Sequence, residues 1–295
     1  MPQSTLSPAA APAANHATPA TDAAPIDIRG AVLLAATIAL LLIPLTLGRA
    51  EDWPVWTWIA LAAALPFAAV FVATQSRTER SGGTPLVPPS LLRLPAARLG
   101  LSALLVFGTC VGGFMFSLAM ILQLGHGFTP IRSGIAMAAA ATGFLGFALL
   151  AQRFVARYGA MVLVVGAFVF ALGTAAFALT AGIAEDDLTL PETLLPLFVA
   201  GIGWGMVLVP LLGLTLGALP VDRAGLAGGV LSTALQIGLA SGASILGSTL
   251  FAVIGDHPDP DAWQNATYAV AAVLGALALA TATLCFRLHT VTKST

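Results

Sequence analysis

The chain has 295 residues, of which 58% are hydrophobic and only 8% charged, and its net charge is -1. A soluble domain carries about 25% charged residues because its surface faces water, so this composition excludes an ordinary soluble domain. The near-neutral charge, with no basic block, excludes a nucleic-acid partner.

Residues 1–27 are rich in Ala and Pro, and their first charge is Asp22. A secretory signal pairs a basic start with an apolar core, and neither is present. The stretch reads as a disordered tail that buries too little to fold. Apolar runs follow. Crossing roughly 30 Å of hydrocarbon takes about 20 apolar residues in a helix. Eight runs meet that requirement: 30–48, 54–75, 99–123, 133–151, 159–182, 193–219, 224–254 and 266–286. The expected fold is therefore an all-α integral membrane protein with eight transmembrane helices. Thr129-Pro130 reads as a helix start, with Pro130 in the first turn where its missing N–H costs nothing. Pro44, Pro66 and Pro210 fall inside apolar runs, where neighbouring helices re-satisfy the freed carbonyls.

Charge gives the orientation. Eight spans put both ends of the chain on one side, with Arg29, Arg77, Arg80, Arg93, Arg98, Arg153, Arg157, Arg223, Arg287 and Lys293. That is 10 of the 12 basic residues. The other side keeps Arg49 and Arg132 and collects Glu51, Asp52, Glu185, Asp186, Asp187, Glu192, Asp256, Asp259 and Asp261. Cytoplasmic loops are the basic ones, so both termini are expected in the cytoplasm, with the chain in the inner, or plasma, membrane. Trp53, Trp56, Trp58 and Trp263 then sit at the outer edge, as an interfacial aromatic belt would. Reporter fusions at Thr84 and Asp259 are expected to report opposite faces; finding both on one side would refute this topology.

Small residues recur at four-residue spacing, which lets helix backbones approach closely in lipid. The pairs are Gly108 with Gly112, Gly201 with Gly205, Gly213 with Gly217, Gly225 with Gly229, and Gly238 with Gly242. Together they point to a packed bundle rather than isolated anchors.

The span interiors hold no Asp, Glu, Lys or Arg. Ionisable groups in lipid mark function because they are expensive, so a membrane-depth proton carrier is not evident. The polar residues that remain include Ser117, Gln123, Ser232, Thr233, Gln236, Ser241, Ser244 and Trp204. Gln236 is the leading substrate-binding candidate, since a mid-span amide needs a partner, water or ligand. An interhelical hydrogen bond is the competing account. Gln123 lies near a span end, where polar residues are ordinary. Trp204, Phe116, Met115 and Met137 could form an apolar binding wall, because aromatic and Met side chains suit varied hydrophobic ligands; ordinary packing explains each singly. Cys110 and Cys285 both lie in apolar runs and read as buried free thiols. The four histidines lie far apart, so no metal site or cofactor is expected. No nucleotide loop or catalytic constellation points to an enzyme.

Four stretches resemble a known family. Leu122–Gly134 (LQLGHGFTPIRSG) resembles the loop between the first two C-half helices of major facilitator superfamily transporters, most closely in the 14-helix drug/proton antiporter branch. Leu150–Gly159 (LAQRFVARYG) is similar to the C-half copy of that superfamily's cytoplasmic loop motif, and supplies Arg153, Arg157 and Gly159 as gating-loop candidates. Ala156 stands where that motif has an Asp. Gly201–Pro220 and Ala224–Gly247 resemble successive cavity helices of the branch, with Gln236 matching while Ser232 and Leu235 replace its Asn and Arg.

The resemblance implies two peripheral helices within 28–76, a cytoplasmic linker at 77–98, a six-helix transporter bundle at 99–287 and a cytoplasmic tail at 288–295. It implies efflux of a small hydrophobic or amphipathic substrate across the bilayer. It places Gln236, Thr233, Ser232, Trp204, Gln123, Phe116 and Met137 as substrate-binding candidates. The six helices that precede this region in the branch have no counterpart in the sequence, so an N-terminal transporter half is the expected partner. A half-transporter acting as a non-transporting scaffold is the alternative.

Overall fold

A computed structural model describes residues 27–48, 51, 53–83, 85, 89, 94–184, 187–217, 224–255 and 259–293. The expected tail at 1–26 and much of the expected linker lie outside the described residues. The described chain is helical throughout. Its elements are α1 (Ile28–Leu47), α2 (Val55–Arg80), α3 (Pro95–Met120), α4 (Pro130–Tyr158), α5 (Met161–Ala184), α6 (Leu190–Gly217), α7 (Ala224–Ile254) and α8 (Pro260–Lys293). All eight have the length and apolar composition to cross a membrane, and the chain is an integral membrane protein of helical type.

Several helices outrun the spans read from the sequence. The apolar runs mark only the hydrocarbon core, whereas helical hydrogen bonding continues to the interfaces, where charged ends reach water. The clearest difference is at 150–158. This stretch resembles a loop motif, but it forms the last turns of α4, and the chain turns only at Gly159. There φ is +60°, a left-handed conformation that glycine adopts without Cβ strain. Thr129 caps α4 as expected, its hydroxyl accepting from the Arg132 N–H at 3.3 Å with Pro130 in the first turn. One feature was not legible in the sequence: α3 ends in a single π turn, Ile121–Gly125.

The helix contacts define the architecture. α3 packs along α7, and α4 packs along α6. α5 lies against α6 and α8, and α8 also touches α3 and α7. The order α4–α6–α3–α7 therefore forms one layer, with α5 and α8 behind it. Exchanging α3 with α6, α4 with α7 and α5 with α8 maps the α3–α7 seam onto the α4–α6 seam, and α5–α6 onto α8–α3. Gly100, near the start of α3, lies against Thr215, near the end of α6, so these two counterparts run in opposite directions. That is the arrangement of inverted three-helix repeats.

Glycine makes both seams. On α3, Gly108 and Gly112 face backbone of α7 at Leu235, Gly238 and Leu239, while Gly242 faces Thr109 and Gly113. On the matching seam, Gly201 and Gly205 of α6 meet the Ala140 and Phe144 carbonyls of α4, and Gly143 meets Phe198. Three of the five predicted glycine pairs thus sit in helix contacts. Gly213, Gly217 and Gly229 face open space instead. Behind the layer, Phe170 of α5 packs edge-on against Phe107 and Phe114 of α3, at 5.7 and 5.5 Å between ring centroids.

α1 and α2 pack on each other, and α1 touches α7. Their ends are tied by Asp27, which caps Gly30 N–H at 2.8 Å and accepts from Gln75 Nε2 at 2.7 Å. At the opposite end of this hairpin, Trp53 stacks near Trp58, and the Trp56 indole donates to Glu51 at 3.0 Å.

Candidate functional site

The sequence-derived candidates spread across the four-helix layer. Ser232 and Gln236 are one turn apart on α7, and both are exposed; Thr233 between them is half-buried. The α3 seam occupies the side of α7 that carries Leu235, Gly238, Leu239 and Gly242, and Ser232 and Gln236 lie off that seam. Phe116 on α3 and Met137 on α4 are half-buried, and Met137 packs against the core cluster. Gln123 falls within the π turn and is half-buried.

Trp204 has the most definite environment of the seven. Its ring lies 4.9 Å from that of Phe144 across the α4–α6 seam, tilted by 44°. Its Nε1–H is enclosed with no acceptor among the described residues. A buried donor without a partner costs on the order of 1–3 kcal/mol, so this indole leaves an unmet hydrogen bond at the α4–α6 seam. Phe144 was not singled out from the sequence, because a phenylalanine in an apolar helix gives no signal until its neighbour across the seam is known.

The seven residues are spread over α3, α4, α6 and α7. α4 and α7 share no extensive contact, being separated by α6 and α3. Two cavities among the described residues lie elsewhere, and none of the seven lines either of them. What the chain presents is an open face. Along α4, Gly134, Ala138, Thr142 and Gly146 are exposed at four-residue spacing, with no atom within 4 Å of a side chain started at either glycine. Along α7, Gly228 and Gly229 are equally open, one turn from Ser232. The carboxylates, lysines and arginines of the described helices stand toward helix ends, as expected from the span interiors.

Arg153 and Arg157 occupy the last two turns of α4 and are exposed. The Arg157 guanidinium lies 5.4 Å from the centroid of Tyr158. Gly159 makes the turn, with the His289 imidazole of α8 beside it. The end of α4, the start of α5 and the end of α8 therefore share one end of the bundle. Cys110 and Cys285 are free and buried, and Cys110 Sγ contacts the Leu274 carbonyl at 3.6 Å.

Comparison with known proteins agrees with this geometry. The family model of the Major Facilitator Superfamily matches residues 3–243. The probable actinorhodin transporter of Streptomyces coelicolor is 34% identical over 232 residues, covering 78% of this chain and 40% of that protein. The tetracenomycin C resistance and export protein of Streptomyces glaucescens is 28% identical, covering 81% of this chain and 43% of its own length. The multidrug resistance protein Stp of Mycobacterium tuberculosis is 27% identical, over 70% of this chain and 37% of its own. The chain thus spans about two fifths of the length of these relatives. With its glycine-sealed six-helix arrangement and the family match over most of its length, this chain belongs to the major facilitator superfamily.

Proposed function

We propose that this chain is one bundle of a two-bundle exporter that moves small hydrophobic or amphipathic molecules out across the inner membrane by alternating access, with both termini in the cytoplasm. The observation that carries this reading is the open face. The seams on the inner sides of α4 and α7 are sealed by glycine, whereas the small residues on their outer sides meet nothing. Small residues at four-residue spacing serve close helix packing in lipid, so this face is built for other helices. Alternating access rocks two bundles about a site at their interface, and Gln236, Ser232 and Trp204 stand where such a site would form. The relatives' names speak of an actinorhodin transporter, of tetracenomycin C resistance and export, and of multidrug resistance. The partner bundle is a set of six N-terminal helices, on the same polypeptide or on another.

A scaffold without transport is the second reading. It is favoured by the lack of a membrane-depth acid, which proton coupling requires of one bundle or the other. Co-purification separates partnered from unpartnered forms. The chain is co-expressed with a tagged six-helix bundle taken from the region upstream of it, or from the Streptomyces coelicolor relative. Gly146→Leu is expected to leave the yield of the chain alone unchanged, because the site is open, and to lower co-purification at least fivefold. Equal recovery of both forms, or no recovery of the unsubstituted chain, would count against the two-bundle reading.

A further inference from the structure

Away from the open face, the ends of α3 and α5 and the start of α8 enclose a cavity of about 110 Å³. Its walls are Gly125 and His126 at the end of the π turn, Ala181 and Gly182 at the end of α5, and Asp261, Trp263, Gln264 and Thr267 on the first turns of α8. By charge asymmetry this end of the bundle is the outer one. The size excludes a drug-sized ligand, since such sites run to about 300–1,000 Å³. It admits a molecule of a few heavy atoms, a little smaller than the roughly 150 Å³ cavity that takes benzene.

The chemistry of the walls is specific. Gln264 Nε2 donates to the Gly182 carbonyl at 2.6 Å, which fixes the amide and leaves Oε1 as an acceptor. The Thr267 hydroxyl donates to the Trp263 carbonyl at 2.8 Å, so it too offers only lone pairs to the cavity. Asp261 adds an exposed carboxylate in the first turn of α8. The Trp263 ring packs against Gly125 and contributes an aromatic face, which attracts cations. One anion, two neutral acceptors and the face of an indole favour a donor carrying positive charge; the His126 imidazole and the Trp263 Nε1–H are donors in the same lining.

Two further features show a built site. Gly182 leaves the α5 wall low, and a Cβ there would push aside the Tyr268 hydroxyl, the tip of its side chain. The third wall is delivered by the π turn, with His126 N–H bonded to the Ile121 carbonyl at 3.0 Å. Such turns break helical regularity and occur frequently at functional sites. Asp261 by itself has another explanation, since an acid in a first turn favours the helix dipole. That account does not explain the fixed amide, the indole or the enclosed volume.

We propose that this outer pocket binds a small organic ammonium ion, with the ammonium on Asp261 and Gln264 Oε1 and its alkyl part against Trp263. The site lies apart from the open face and does not depend on transport. Saturation-transfer NMR on the full chain in nanodiscs tests it, with ethylammonium as the probe and ethanol as the neutral control. Saturable transfer to ethylammonium is expected, with little to ethanol. Asp261→Asn and Gln264→Leu should each weaken it at least fivefold, while Asp259→Asn leaves it unchanged. Asp259 lies outside the lining and caps Ala262 N–H, so it controls for bulk charge. Lack of saturable transfer, equal transfer to ethanol, or equal loss in the Asp259 and Asp261 variants overturns the proposal. Circular dichroism of each variant shows whether it is folded, and Asp261, being exposed, tolerates an isosteric change.

Discussion

Gly201→Leu yields no folded, monodisperse protein, and Gly201→Ala lowers the midpoint of thermal unfolding by more than about 4 °C. The first Cβ at this position would overlap the carbonyl of Ala140. That oxygen belongs to the backbone of α4, so no side-chain rotation relieves the clash, and α4 and α6 must separate. Separation also opens the contacts of Gly205 with Phe144 and of Gly143 with Phe198, which lie along the same seam. Overpacking a well-packed interior costs typically 1–3 kcal/mol, and 1 kcal/mol shifts the midpoint by about 2–4 °C for a domain of this size. The repeat relation extends the expectation to Gly112, whose Cβ would overlap backbone of Leu239 across the α3–α7 seam. Gly213→Ala is the control. No atom lies within 4 Å there, and alanine is favoured over glycine in a helix by roughly 1 kcal/mol, so the midpoint stays or rises. Size-exclusion chromatography after heating in detergent reads all three. Equal loss at positions 201 and 213 would show that the seam does not hold the bundle.

The span count was legible because hydrophobic length is a strong signal, and eight apolar runs became eight helices. Glycine spacing was legible in part. It identified Gly108, Gly112, Gly201, Gly205, Gly238 and Gly242, which sit in seams, but gave the same weight to Gly213, Gly217 and Gly229, which do not. Spacing states that a backbone can approach, not that one does; the partner is as far off in sequence as Ala140 from Gly201 or Gly238 from Gly108. α4 runs past the 133–151 span because the apolar run marks only the hydrocarbon core, while helical hydrogen bonding carries on to Tyr158. The pairing of Trp204 with Phe144 and the π turn were hidden for a related reason. The ring pair depends on a contact between α4 and α6, whose local sequences are ordinary apolar helix, and the π turn overlaps the Leu122–Gly134 stretch, whose pattern does not announce it. The pocket at the ends of α3 and α5 and the start of α8 combines Gly125, Gly182 and Gln264, none of which draws notice until the ends of three helices meet.

Reconstituted alone in liposomes under an imposed pH gradient, the chain is expected to move a lipophilic cation dye no faster than empty vesicles. Alternating access needs a second bundle to close against, and Gln236 and Ser232 are exposed on α7 among the described residues. A proton-coupled cycle also needs a group that takes up and releases protons at membrane depth, and the described helices carry their charged residues toward the ends. Co-reconstitution with six N-terminal helices is expected to supply both, and dye movement should rise at least tenfold over background. In that assembly Gln236→Leu should slow a hydrogen-bonding substrate by about threefold to tenfold, the worth of one net hydrogen bond of roughly 0.5–1.5 kcal/mol. An apolar cation should be affected less, since apolar walls discriminate poorly between ligands of similar size. Gradient-driven movement by the chain alone, abolished by Gln236→Leu, would overturn the two-bundle requirement and make Gln236 a working residue of a self-sufficient carrier. Absence of movement even with the partner present would favour the scaffold, because the open face would then bind helices without forming a path between them.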